Sequence, residues 1–107
     1  MRTLPRDRDG LAPREAERLA GALKVLSDPA RLRLLSLIAA KGDEGACCCD
    51  LADPLGITQP TVSHHLKVLH GAGLLSKERD GVWMCYRVVP EGLHVLAGAI
   101  AALVPDV

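Results

Sequence analysis

Phenylalanine is missing from this 107-residue chain, and tryptophan and tyrosine occur once each. A core built with almost no aromatics must come from Leu, Val, Ile and Ala, which suits packed helices better than an aromatic-rich β-sandwich. Net charge is missing too, since thirteen basic residues balance thirteen acidic ones. No stretch approaches the ~20 apolar residues of a membrane span. The opening MRTLPRDRDG has no apolar run behind its charges, which argues against a secretory signal. The expected setting is the cytoplasm, with no membrane contact. There is no phosphate-binding loop and no Cys-x-x-Cys pair, so a thiol enzyme such as a disulfide exchanger is weakly supported and no enzymatic role is expected.

What is present is one domain's worth of chain, 49% hydrophobic. The neutral total hides an asymmetry: residues 1–33 carry eight Lys/Arg against five Asp/Glu, while residues 41–56 carry Lys41 alone against Asp43, Glu44, Asp50 and Asp53. Residues 1–12 are polar, hold Pro5 and Gly10, and are expected to form a flexible arm, with residues 13–107 forming the folded domain.

Pro13 opens a first helix with Leu19, Ala20, Leu23 and Leu26 at three- and four-residue spacing. Asp28 and Pro29 fit the N-cap and first position of a second, whose apolar face is Leu32, Leu35, Ile38 and Ala39. DEGA reads as a loop, Cys48 to Leu55 as a short third helix ended by Gly56, and Thr58 as the cap of a fourth with Val62, Leu66 and Leu69 inward. LLSKER and VWMCYRVV then alternate around Asp80-Gly81, a pair suited to a hairpin turn, and a last helix from Pro90 carries Leu93, Leu96, Ala97, Ile100 and Val104. The expected class is mainly α with a β-hairpin, in the order α-α-α-α-β-β-α.

Two short helices joined by Gly56-Ile57-Thr58 have the form of a helix-turn-helix. With Val62, Leu66 and Leu69 inward, Thr58, Gln59, Thr61, Ser63, His64 and Lys67 project outward, and no acidic residue lies between Thr58 and Leu75. Gln can pair with adenine, while Ser, Thr and Lys serve base edges or phosphates. Lys77, Arg79 and Arg87 on the hairpin would meet the DNA backbone as a wing. His65 falls nearer the buried side and is expected to be structural.

The most unusual feature is Cys47-Cys48-Cys49, with Cys85 the fourth cysteine. Neighbouring cysteines close disulfides poorly, so these are expected to be reduced thiols. In a helix Cys47 and Cys49 would point to nearly opposite sides, whereas in an extended segment residues i and i+2 share a side. Ligation by this pair therefore requires a non-helical start to the third helix. Thiolates select soft ions over Mg²⁺ or Ca²⁺. Alternation along VWMCYRVV sets Cys85 with Trp83 and Arg87, away from Met84 and Tyr86, where it reads as a small packing residue.

SDPARLRLLSLIA, CCCDLADPLGITQPTVSHHLKVLHGAGLL and the DG hairpin ending in YRVV resemble the ArsR/SmtB family of bacterial metal-sensing repressors, from about Leu19 to Leu96. The resemblance implies a winged helix-turn-helix homodimer joined through its first and last helices and bound to double-stranded operator DNA. It also implies release by As(III) or Sb(III) held by cysteines at a CVCDLC-type motif, with Cys47 and Cys49 in the first two ligand positions. Ala52 stands where a third cysteine would be. Cys48, Cys85 or a small thiol could supply the third sulfur. Alternatives within the same fold are a Cd(II) or Pb(II) sensor using Asp50 or Asp53, and a thiol-redox sensor. The family's zinc and nickel site on the last helix is not expected, because its positions are occupied by Pro90 and Gly92.

Overall fold

A computed structural model describes residues 10–105; residues 1–9, most of the expected arm, lie outside the described residues. Helices α1 (Pro13–Leu26) and α2 (Pro29–Lys41) lead through a 3-10 turn, Gly42–Glu44, into strand β1 (Ala46–Cys47). A second 3-10 turn, Cys48–Asp50, precedes α3 (Ala52–Leu55) and α4 (Gln59–Gly71). Strands β2 (Leu75–Asp80) and β3 (Trp83–Val88) form the hairpin, and α5 (Pro90–Ala101) follows. The architecture is the expected winged helix-turn-helix, with one addition: the supposed loop before the cysteines contributes β1 to an antiparallel sheet of order β1-β3-β2.

The helix boundaries follow the cap chemistry. The Asp28 carboxylate accepts from the Ala30 and Arg31 amides at 2.8 and 3.2 Å, satisfying donors that the first turn leaves free. Those bonds, chiefly the one from Arg31, hold its carboxyl below the usual range. Thr58 caps α4 by accepting from the Thr61 amide at 3.4 Å.

Leu34, Ile38, Leu51, Val62, Leu66 and Leu69 are almost wholly buried and form the centre of the core. The α4 stripe is the expected one. On α2 the inward face is Leu34, Leu35 and Ile38, while Leu32 and Ala39 are exposed. α2 packs against both α4 and β3, and the face it buries is rotated from the expected one, leaving Leu32 exposed. The expected stripes of α1 and α5 are also largely open: no α1 residue is buried, and Leu23, Ile100 and Val104 are exposed.

The hairpin pairs Asp80 with Trp83, so its two-residue loop is Gly81-Val82, one position beyond the expected Asp80-Gly81. Gly81 has φ +65°, which suits the first loop position of a tight hairpin turn. His65 is buried, and its Nδ1 accepts from Arg31 Nε at 3.2 Å; Arg31 also donates to the Val25 carbonyl at 2.9 Å. One guanidinium thereby ties the ends of α1 and α2 to α4.

Gly45 makes the added strand possible. It has φ +71°, and a Cβ there would lie 2.9 Å from the Tyr86 carbonyl oxygen. A side chain at this position is thus strained and blocked by backbone. Gly45→Ala is expected to cost about 1–3 kcal/mol of stability, measured by chemical denaturation; an unchanged midpoint would show that β1 does not need this close approach.

Candidate functional site

The cysteine run is shaped by what flanks it. Ala46 and Leu51 are 2% and 1% exposed, so both ends of the four-residue segment between them are pinned in the core. Extended backbone at Cys47 (φ −94°, ψ 159°) passes directly into the 3-10 turn at Cys48. The start of the expected third helix is therefore not α-helical, and its α portion begins only at Ala52.

This path brings Cys47 and Cys49 together. Their sulfurs are 2.8 Å apart, and the Asp50 carboxylate accepts from Cys47 Sγ at 3.1 Å and from Cys49 Sγ at 3.9 Å. One donor atom from each of the three residues fits within a span of 4.8 Å. Two thiols and a carboxylate make a donor set for a soft, thiophilic ion, with Asp50 a member that the sequence suggested only for Cd(II) or Pb(II).

Cys48 points elsewhere. Its sulfur lies 3.3 Å from Ser63 Oγ and 3.9 Å from the Gln59 carbonyl, both on α4. The three consecutive cysteines thus divide into a converging pair and a middle residue resting on the neighbouring helix.

The same contacts hold Cys47 protonated. Its bonds to Cys49 and then to Asp50, with some burial and the Asp50 charge, push its pKa up to about 12. Thiolates are the ligating form, so ion binding here must release protons.

The outward residues of α4 are placed as expected: Thr58, Gln59, Thr61, Ser63, His64 and Lys67 are all exposed. Some of their hydroxyls are already engaged. Thr58 Oγ1 caps the helix and lies 2.9 Å from Thr61 Oγ1, and Ser63 faces Cys48. Gln59, His64 and Lys67 present the outer surface of the helix.

The wing separates its charges by strand alternation. Lys77 pairs with Tyr86 and Arg79 with Met84 on one face, while Glu78 pairs with Cys85 and Asp80 with Trp83 on the other. Lys77 and Arg79 are exposed. Arg87 does not join them: its Nε donates to the Asp43 carbonyl at 2.7 Å and its Nη1 pairs with Glu78 at 3.1 Å. That guanidinium fastens the loop before β1 to the sheet.

Residues 28–77 match the model of the bacterial regulatory protein, arsR family. The fold also superposes on the crystal structure of AntR, an antimony-specific transcriptional repressor, with a TM-score of 0.70 and 33% identity, covering 96% of this chain and 94% of that one. The chain belongs to the arsR family.

Within that family, the arsenical resistance operon repressor of Escherichia coli is 39% identical over 76 residues. The match takes in 71% of this chain, which spans 61% of that protein's length. The solution structure of a homodimeric winged helix-turn-helix domain from Mycobacterium bovis, a possible ArsR-family regulator, has a TM-score of 0.66 at 26% identity over 87% of each chain. These relatives are named as transcriptional regulators, and the arsR-family match covers α2, the cysteine run, α3, α4 and the start of the wing. Among the described residues no helix is long and apolar enough to cross a membrane.

Because Asp50 helps to keep the Cys47 proton in place, Asp50→Ala should move thiol ionisation to lower pH. The sign follows from removing an acceptor bond and a nearby negative charge, both of which favour the protonated thiol. Thiolate absorbance followed from pH 7 upward, in a Cys85→Ser background, should rise earlier in the variant; a superimposable curve would refute the role of Asp50.

Proposed function

We propose that the chain is an arsenite- or antimonite-responsive transcriptional repressor that holds double-stranded operator DNA as a homodimer and releases it when the ion engages Cys47 and Cys49. The observation that carries this reading is the placement of the three cysteines. Cys47 and Cys49 converge on one side, while Cys48 between them touches Ser63 and Gln59 on α4.

The mechanism follows from these contacts. A bound trivalent ion would supply a centre that prefers thiolates to oxygen donors. Cys47 and Cys49 must surrender their protons, which ends their donation to Asp50. The backbone at 47–49 is short and anchored by Ala46 and Leu51, so adjustment falls on the segment itself. Cys48 moves with it and carries the change to the first turns of α4, where Gln59 and Ser63 lie. A coupling of ~1–3 kcal/mol would weaken operator binding roughly 5- to 150-fold.

Support for DNA binding comes from the exposed polar start of α4, the absence of acidic residues from Thr58 to Leu75, and Lys77 and Arg79 on one wing face. Such surfaces use base-edge contacts for specificity and cationic contacts for affinity. Support for a dimer comes from the open stripes of α1 and α5. Leu23, Val95, Ile100, Leu103 and Val104 are exposed, and an apolar groove of about 450 Å³ lined by Leu19, Ala22, Leu74, Val95 and Leu96 runs between the two helices. Contiguous exposed apolar surface of this kind is best satisfied by a second copy. Two copies would present two α4 helices to successive major grooves.

The Asp50 carboxylate also suits Cd(II) or Pb(II), which accept mixed sulfur and oxygen donors. Operator-DNA anisotropy separates the inducers. Arsenite is expected to release DNA from the wild type and to leave the double variant Cys47→Ser, Cys49→Ser bound; release from that variant would refute the assignment, and release by Cd(II) alone would transfer it to the second reading.

The coupling has its own test. Cys48→Val should leave arsenite affinity, read by direct titration, within about threefold while reducing arsenite-driven DNA release at least fivefold. Equal loss of binding and release would make Cys48 a ligand instead.

A further inference from the structure

We propose that Cys85, on the wing strand β3, supplies the third sulfur for a trivalent arsenic or antimony ion held by Cys47 and Cys49. The inference rests on the repressor reading above and concerns the composition of the same site.

Two sulfurs leave one valence of a trivalent metalloid unfilled. Arsenious acid, As(OH)₃, exchanges its three hydroxyls for three thiols and releases three waters, with arsenic staying in the +3 state throughout. Three protein thiols complete that exchange. The described residues offer few candidates for the third. Ala52 has no donor atom and lies in the core. Cys48 is turned to the opposite side, onto Ser63 and Gln59. Asp50 is already within reach, but a carboxylate oxygen is a hard donor and a soft ion prefers sulfur.

Cys85 is placed by the sheet. In the antiparallel pairing of β1 with β3, Cys47 and Cys85 are direct partners. Directly opposed residues point to the same face, with Cβ atoms about 4.5–5.5 Å apart. Ala46 and Tyr86, the adjoining pair, take the other face, and Ala46 is buried there. Strand alternation, which separates Cys85 from Tyr86, is the very feature that sets it beside Cys47. The turn Cys48–Asp50 also packs against β3, which keeps the whole run next to this strand.

In the present rotamer the Cys85 sulfur stands outside the group of Cys47, Cys49 and Asp50. A cysteine has one rotatable bond before its sulfur and three staggered positions for it. The Cys85 thiol is half-buried and makes no hydrogen bond among the described residues, so no hydrogen bond has to break for the turn. Glu78, its neighbour on the far side, is engaged by Arg87. Recruitment of Cys85 would extend the ligand's grip from the cysteine run to the wing.

Arsenic X-ray absorption on arsenite-loaded protein, prepared with a sulfur-free phosphine reductant, counts the sulfurs. Three per arsenic are expected for the wild type and for Cys48→Ser, and two with one oxygen for Cys85→Ser. Phenylarsine oxide, whose arsenic needs only two thiols, should bind wild type and Cys85→Ser within twofold of each other, whereas arsenite should bind Cys85→Ser at least tenfold more weakly. An equal unfolding midpoint for Cys85→Ser, a near-isosteric change, keeps the comparison clean. Three sulfurs persisting in Cys85→Ser, or two in the wild type, would overturn the inference and leave the repressor reading standing. Arsenic without sulfur neighbours in the wild type would overturn both.

Discussion

The anchoring of Ala46 and Leu51 in the core governs the rest of the site. Between these two buried residues the chain has only four positions in which to leave a strand and reach a helix. It does so through one extended residue and a single 3-10 turn, and that path decides where every thiol goes. A continuous α-helix over the same residues would have sent Cys47 and Cys49 to nearly opposite sides. The break turns three consecutive cysteines into a converging pair and a contact on α4.

The same constraint sets the thiol pair beside the surfaces proposed to meet DNA, with no long relay between them. Residues 47–49 touch α4 through Cys48 and pair with β3 through Cys47. Both elements proposed to meet DNA are thus direct neighbours of the thiols. The remaining side-chain contacts tie together the elements around this point. Arg31 links the Val25 carbonyl to His65, and Arg87 links Asp43 to Glu78. The Arg87–Glu78 pair is largely exposed and contributes little by itself, whereas the Arg31 bonds are part-buried at the junction of α1, α2 and α4.

Much of the domain was legible because its signals are local. Asp28 and Thr58 announce helix starts through side-chain chemistry that acts within three residues. Val62, Leu66 and Leu69 repeat with the period of a helix facing one core. The rotated face of α2 was less legible, since a helix in contact with two elements buries a stripe that periodicity alone cannot orient. On α1 and α5 the period was right but the stripes are open on one copy, for an apolar stripe does not say whether its cover comes from the same chain or another.

The helix-turn-helix, the hairpin after it, the exposed polar start of α4 and the requirement that Cys47 and Cys49 leave helical geometry in order to converge were all legible along the chain. Those follow from period, caps and turn residues, all of which act over a few positions. That Ala46–Cys47 pairs with β3, that Cys48 faces Ser63, that Asp50 joins the thiol pair and that Cys85 lies opposite Cys47 emerged with the folded chain. A two-residue strand is too short to show a period, and its register is set by a partner almost forty residues along the chain through Gly45's close approach to Tyr86. Sequence alternation can assign Cys85 to a face of its own strand. Which residues share that face depends on the register, and register is a property of the folded sheet.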